Sequence, residues 1–189
     1  MQTYRANCRK WLIRLFCFWL LASRVAVFAA EKSPGMAEYQ VKAAFLFNFT
    51  KFTDWPASAF TSTNAPMVIG ILGDDPFGKT LEDAVTGEVV QDHPLVFKRL
   101  RADEDLRGCH VLFISRSEKD RVAKVLEKLK GSPVLTAGDT KDFAERGGIV
   151  NLLLVQDTVK LEINQSAAEE AGLKISAKLL KLARIVKPK

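Results

Sequence analysis

The segment GGIVNLLLV, Gly147 to Val155, limits the fold more than any other stretch. From Ile149 to Val155 apolar residues fill both alternating sets, whereas a strand with one wet face alternates apolar and polar residues. A strand buried on both sides needs helices on both faces of its sheet. Asp157-Thr158 then turns the chain into Val159 to Asn164, where Val159, Leu161 and Ile163 alternate with Lys160 and Glu162. That second strand reads as having one wet face, so the pair forms an antiparallel hairpin.

The rest of the chain supplies the other strands and the helices. Met67 to Leu72, Leu95 to Leu100, Val111 to Ser115 and Val134 to Thr136 are short apolar strands. Between them, Phe77 to Val85 and Ser117 to Lys130 show helical spacing, the latter with Val122, Val125, Leu126 and Leu129 inward and Gly131 as its stop. Ser166-Ala-Ala-Glu169 is a capping box for a short helix ending at Gly172. Ser176 caps a last helix carrying Leu179, Leu180, Ala183 and Val186. Strands separated by helices imply a parallel sheet. The expected fold is therefore a single-domain three-layer α/β/α sandwich, with about six mostly parallel strands ending in an antiparallel hairpin.

The first helix is predicted over Glu38 to Phe52. Val41, Ala44, Phe45, Asn48, Phe49 and Phe52 follow one helical face, with Glu38, Lys42 and Lys51 on a polar side. Thr53-Asp54-Trp55-Pro56 ends it, because the residue before Pro is pushed out of the α region.

Ahead of this helix, Arg5, Arg9 and Lys10 precede the apolar run Trp11 to Leu21, and Val27-Phe28-Ala29 offers small residues for cleavage. This is the pattern of a secretory signal over residues 1–29, whose cleavage would leave residues 30–189 as one domain in the periplasm; Arg14 and Arg24 interrupt the run, and the alternative is an uncleaved anchor. The whole chain carries +6, but residues 1–29 hold five positive charges and no negative ones, which leaves the mature part at +1. A nearly neutral body has no electrostatic footprint for nucleic acid. Cys8 and Cys17 leave with the leader, so Cys109 has no intramolecular disulfide partner. It reads either as a small buried hydrophobe or as a redox or intersubunit thiol.

Catalytic signatures are missing. His93 and His110 sit with no acids or Cys at metal-ligand spacing, and no GxSxG, HExxH or CxxC occurs. No cofactor, metal or enzymatic activity is expected. In an open α/β sheet, ligands favour the carboxyl ends of strands near a topological switch point. That makes Gly73, Asp74, Asp75 and Phe77, at the exit of the first parallel strand, the candidate ligand crevice. Asp74 and Asp75 would repel a phosphate there. The last helix carries Lys174, Lys178 and Lys181 near one side, either as a solvated face or as a surface for an acidic partner.

Three stretches carry a family resemblance: EYQVKAAFLFNFTKFTDWP, VIGILGDDPFG, and GGIVNLLL followed by VKLEINQSAAEEAGLKISAKLLKLA. Together they resemble the YfiR family of periplasmic proteins, in order, from Glu38 to Ala183. The resemblance implies a regulator that binds and represses the periplasmic domain of an inner-membrane diguanylate cyclase or sensor kinase, lowering cyclic di-GMP signalling. Dimers are known in the family, so a homodimer is a further possible partner. Cysteine pairing in the type member does not carry over to a chain with Cys109 alone. The residues proposed for partner binding are Trp55, Phe49, Lys178 and Lys181. The competing reading is a free-standing periplasmic binding protein for a small ligand, using the Gly73 to Phe77 crevice.

Overall fold

The computed structural model describes residues 34–189; the leader expected over residues 1–29 lies outside them. The chain runs α1 (Pro34–Phe52), β1 (Thr53–Asp54), β2 (Met67–Leu72), α2 (Lys79–Val85), β3 (Val89–Val90), β4 (His93–Leu100) and β5 (Val111–Ile114). It continues through α3 (Val122–Leu129), β6 (Leu135–Gly138), β7 (Val150–Val155), β8 (Thr158–Ile163), α4 (Gln165–Glu170), β9 (Lys174–Ile175), α5 (Ala177–Leu180) and β10 (Ala183–Ile185). Eight strands form one sheet in the order β10-β8-β7-β6-β5-β2-β4-β3. The pairs β7–β8 and β3–β4 are antiparallel and the others parallel. The fold is thus the expected single-domain α/β sandwich, with two strands more in this sheet than the apolar pattern indicated and a separate two-stranded ladder of β1 and β9.

Strand periodicity divides the core between the two faces. Met67, Ile69, Ile71, Val111 and Phe113 point to the cluster that buries Leu46 and Phe49 of α1, together with Leu81 of α2, Ala168 of α4 and Leu179 of α5. Val68, Leu72, Leu112 and Ile114 point the other way, onto Val122, Val125 and Leu129 of α3 and onto Phe143. Each fully buried large apolar side chain stabilises the fold by roughly 1.5–3 kcal/mol. On the α3 face, the Phe143 ring lies directly over Gly138 and Gly148, where a β-carbon on Gly148 would occupy the ring's own space.

The two strands added to this sheet, β3 and β10, are both short edge strands. Val89–Val90 pairs with Pro94 and His93 across Gln91-Asp92, both of which have positive φ. Such a two-residue turn is the tightest way to close a hairpin. The last helix stops at Leu180, after which Ala183–Ile185 adds to β8 as a parallel strand. Ala183 and Val186, expected on that helix, therefore belong to an extended segment. Unpaired backbone groups along β8 offer a ladder that a four-residue helix does not outcompete.

β10 also changes the reading of β8. Glu162 does not face water: it is buried, accepts from Asn151 Nδ2 at 3.0 Å, and pairs with Arg184 of β10. β7 departs from expectation in the opposite sense. Val150, Asn151 and Leu152 are buried, but Leu154 is 42% and Val155 45% exposed. Only Val150 and Asn151 pair with β6, so the far half of the β7–β8 hairpin projects beyond the sheet. Its turn falls on Gln156-Asp157, both with positive φ, one residue earlier than the sequence suggested.

Candidate functional site

The phase of α1 differs by one residue from its apolar pattern. Buried positions are Glu38, Lys42, Ala43, Leu46, Phe49 and Thr50, while Val41 is 47% exposed and Ala44 lies outside. Lys42, expected on the polar side, is fully buried. Its ammonium lies 2.5 Å from Asp139 Oδ2 and also pairs with Glu38 one turn back. Asp139 follows β6, and Arg116 follows β5; Arg116 Nε lies 3.2 Å from Asp139 Oδ2, and its Nη2 lies 3.3 Å from Glu38 Oε1. Tyr39 donates its hydroxyl to the same Oδ2 at 2.9 Å. Burial, then the Asp139 charge, raises the Tyr39 pKa, so the phenol stays protonated and remains a donor. Two acids and two bases balance here, as buried charges require. The cluster clamps α1 to the carboxyl ends of β5 and β6.

The outward face of α1 is left with Ala37, Gln40, Val41, Ala44, Phe47, Asn48 and Lys51. Its only charge is Lys51, whose ammonium sits 4.0 Å over the Phe47 ring. A solvent-facing helix surface ordinarily carries charged residues; this one is nearly free of them.

Of the proposed partner-binding residues, Phe49 leaves the surface altogether, because it is wholly buried beneath α1. Trp55 is half-buried against the core, with its ring edge-on to His110 at 6.2 Å and its indole Nε1 without a protein partner. Lys178 and Lys181 are exposed. β9 pairs with β1, and Ser176 donates its N–H to Phe52 O at 2.9 Å. These bonds bring the start of α5 to the carboxyl end of α1 and next to the Trp55 turn. The basic stripe is not continuous, however: Lys174 lies in β9, and Arg184 is committed to Glu162.

The Gly73 to Phe77 crevice sits where topology puts it, at the end of β2, between β4 and β5. The chain reverses its direction of sheet growth at that point. Side chains nevertheless fill it. Phe77 is core, edge-on to Tyr39 and Phe113 at 5.3 and 5.0 Å. Asp75 accepts from Phe77 N and pairs with Arg99 Nε at 2.8 Å. Gly73 has φ +87°, and a β-carbon there would strike Ser117 Oγ, the group that accepts the Asp74 N–H at 2.9 Å. Only Asp74 is left exposed.

His110 binds the preceding loop. Its Nδ1 accepts from Val68 N at 3.1 Å, so Nε2 carries the proton it gives to Ala59 O at 3.2 Å. Phe60 stacks on His110 and on His93 with centroids 4.5 and 3.7 Å apart. Both histidines therefore have structural work in this loop. Cys109 is buried, and burial pushes its thiol up to about 11. The thiolate needed for nucleophilic or redox chemistry is thus disfavoured at neutral pH. Among the described residues, no group of three or more His, Cys, Asp or Glu side chains is placed to hold a metal, and no helix is long and apolar enough to cross a membrane.

A doubly wound α/β domain with one charge-poor helical face is the class these features define. The chain belongs to the YfiR/HmsC-like family, whose model matches residues 39–184. That family comprises periplasmic regulators connected with cyclic di-GMP signalling, not enzymes. A comparison with individual curated proteins returned no match.

Proposed function

We propose that this protein is exported by cleavage after Ala29 and represses an inner-membrane diguanylate cyclase or sensor kinase by docking on its periplasmic domain. The observation that carries the reading is the outward face of α1. A helix whose free side presents Ala37, Val41 and Ala44 to water leaves apolar area that a partner can bury, and small residues let a second backbone approach closely. Trp55 and the exposed Lys178 and Lys181 extend that surface, the lysines toward acidic groups on the partner. Repression is then a population shift: the complex favours the inactive partner, and release restores output.

The test replaces the chromosomal gene with a Val41→Glu, Ala44→Glu double variant. Both positions are exposed, so the melting curve should stay within about 0.5 kcal/mol of wild type. Cyclic di-GMP, or the kinase output, should rise to the level seen on deleting the gene. If deletion itself changes neither readout, the repressor reading is wrong. If deletion raises output but the double variant does not, the docking surface lies elsewhere.

A further inference from the structure

A second surface lies across the carboxyl ends of β5 and β6, beside Arg116 and Asp139 of the clamp. It is a broad, open groove of about 930 Å³ lined by Arg116, Lys119, Lys141 and Arg146, with Asp139 and Thr140 among its other lining residues. Its charges do not cancel. Arg116 and Asp139 neutralise each other within the clamp. Lys119, Lys141 and Arg146 make no ion pair among the described residues, and the one other acid in the lining is Asp120. Two positive charges remain in excess.

The polar groups of the lining are also incomplete. Tyr39, Lys42 and Arg116 all converge on Asp139 Oδ2, and Oδ1 of the same carboxylate has no partner. Thr140 is nine-tenths buried, and its hydroxyl has no partner either. Buried polar atoms left unpaired cost free energy that a bound group would recover. The carboxyl ends of parallel strands are also where α/β sheets place ligands.

We infer that this groove binds a small oxyanion, carried on a phosphate or a carboxylate, between Arg116, Lys119, Lys141 and Arg146. Thr140 Oγ1 and Asp139 Oδ1 are both closed off from solvent, and a side-chain shift on binding would bring the Thr140 hydroxyl to the oxyanion and Oδ1 to a hydroxyl on the same ligand. Two acceptor oxygens facing one fork suit the Arg146 guanidinium, while the lysines act as point charges. The site uses none of the residues of α1's outward face, so its fate is independent of the docking reading.

The experiment is a titration of the ¹⁵N-labelled residue 30–189 protein with inorganic phosphate and, separately, with citrate, both of which carry oxyanions and a hydroxyl donor. Amide shifts should saturate in the millimolar range or below for one ligand or both, on the order of 4 kcal/mol of binding, at residues 116–119 and 139–146. Saturation by phosphate alone assigns a phosphate-bearing ligand, and by citrate alone a carboxylate. Binding should weaken about tenfold in Lys141→Ala, Arg146→Ala and several-fold in Thr140→Val, and should fall as salt rises. Thr140→Val removes a hydroxyl without a protein partner, so it should leave the melting curve unchanged. No saturable shift with either ligand up to about 20 mM, or shifts that all these substitutions leave unaltered, would overturn the assignment. Val41→Glu, Ala44→Glu should not affect the titration.

Discussion

Lys42 shows how far one residue's role depends on its surroundings. Its ammonium is buried and paired with Asp139 and Glu38, and removing it strands two carboxylates with Arg116 and Tyr39 as their remaining partners. Breaking a buried pair from one side costs about 3–5 kcal/mol. Lys42→Ala should therefore lower stability in urea by that order, whereas Val41→Ala, one position along the helix, should cost about 0.5 kcal/mol or less. Equal, small effects at both positions would mean that α1 is rotated from the phase described. His110 makes a second prediction at this scale. Burial lowers its pKa to about 4, with the neighbouring His93 charge acting in the same direction. The ordinary unfolded value is near 6.5. Above that pH neither state is protonated and the full stability is present; as pH falls from about 6.5 to 4, only the unfolded chain takes up the proton. Stability should fall by roughly 1.4 kcal/mol per pH unit at most across that window. Protonation would also cancel the acceptor that Val68 N–H uses. A His110→Gln variant should flatten this part of the pH profile relative to wild type; an unchanged profile would show that His110 is not its source.

Among the elements, β7 is the one whose two halves behave differently. Leu152 is fully buried and Leu154 is 42% exposed, although both stand in the same apolar run. Leu152→Ala should cost about 2–5 kcal/mol, as expected for a buried large-to-small change. Leu154→Ala should stay under about 1 kcal/mol. Denaturation curves that place the two variants together would show the hairpin tip to be packed. The reason for the asymmetry lies outside the strand: β6 ends at Gly138, so no strand pairs with β7 beyond Asn151 on that side. α5 and β10 illustrate the same dependence. Ser176 caps the helix as expected, accepting from Leu179 N, but the helix lasts only to Leu180 because β8 has an open edge for Ala183–Ile185 to fill.

For the whole molecule, the two core clusters cannot separate. Each of β2 and β5 contributes alternate residues to both, so melting one face removes the support of the other. Val125→Ala on the α3 face and Leu152→Ala on the α1 face should each lower the midpoint of a single transition, with fluorescence and circular dichroism traces coinciding. Two resolved transitions would show that the faces unfold independently. This scaffold leaves α1's outer face and the β5–β6 groove on surfaces that the core does not consume, and each has its own test.

Much of the architecture was determined by the sequence alone. Residue types with period 2 and period 3.6, Gly and Pro at the boundaries, and a run apolar on both faces were enough for a mostly parallel sheet with helices on both sides. Hydrophobic burial is a local property of the pattern, and it needs no knowledge of partners. Three stretches sufficed for the family. What the tertiary structure decided was every question of pairing across long separations. The turn of α1 that faces inward was set by Asp139, 97 residues away from Lys42, since aromatic residues all round the helix left its apolar pattern without a single direction. Phe49 moved to the core and the Gly73 to Phe77 crevice was filled by Phe77 and Arg99 for the same reason. The edge strands and the groove over β5 and β6 likewise exist only once the sheet has formed. A charge or a two-residue strand gains its stabilisation from a partner, and one-dimensional spacing carries no information about which partner the folded chain will bring.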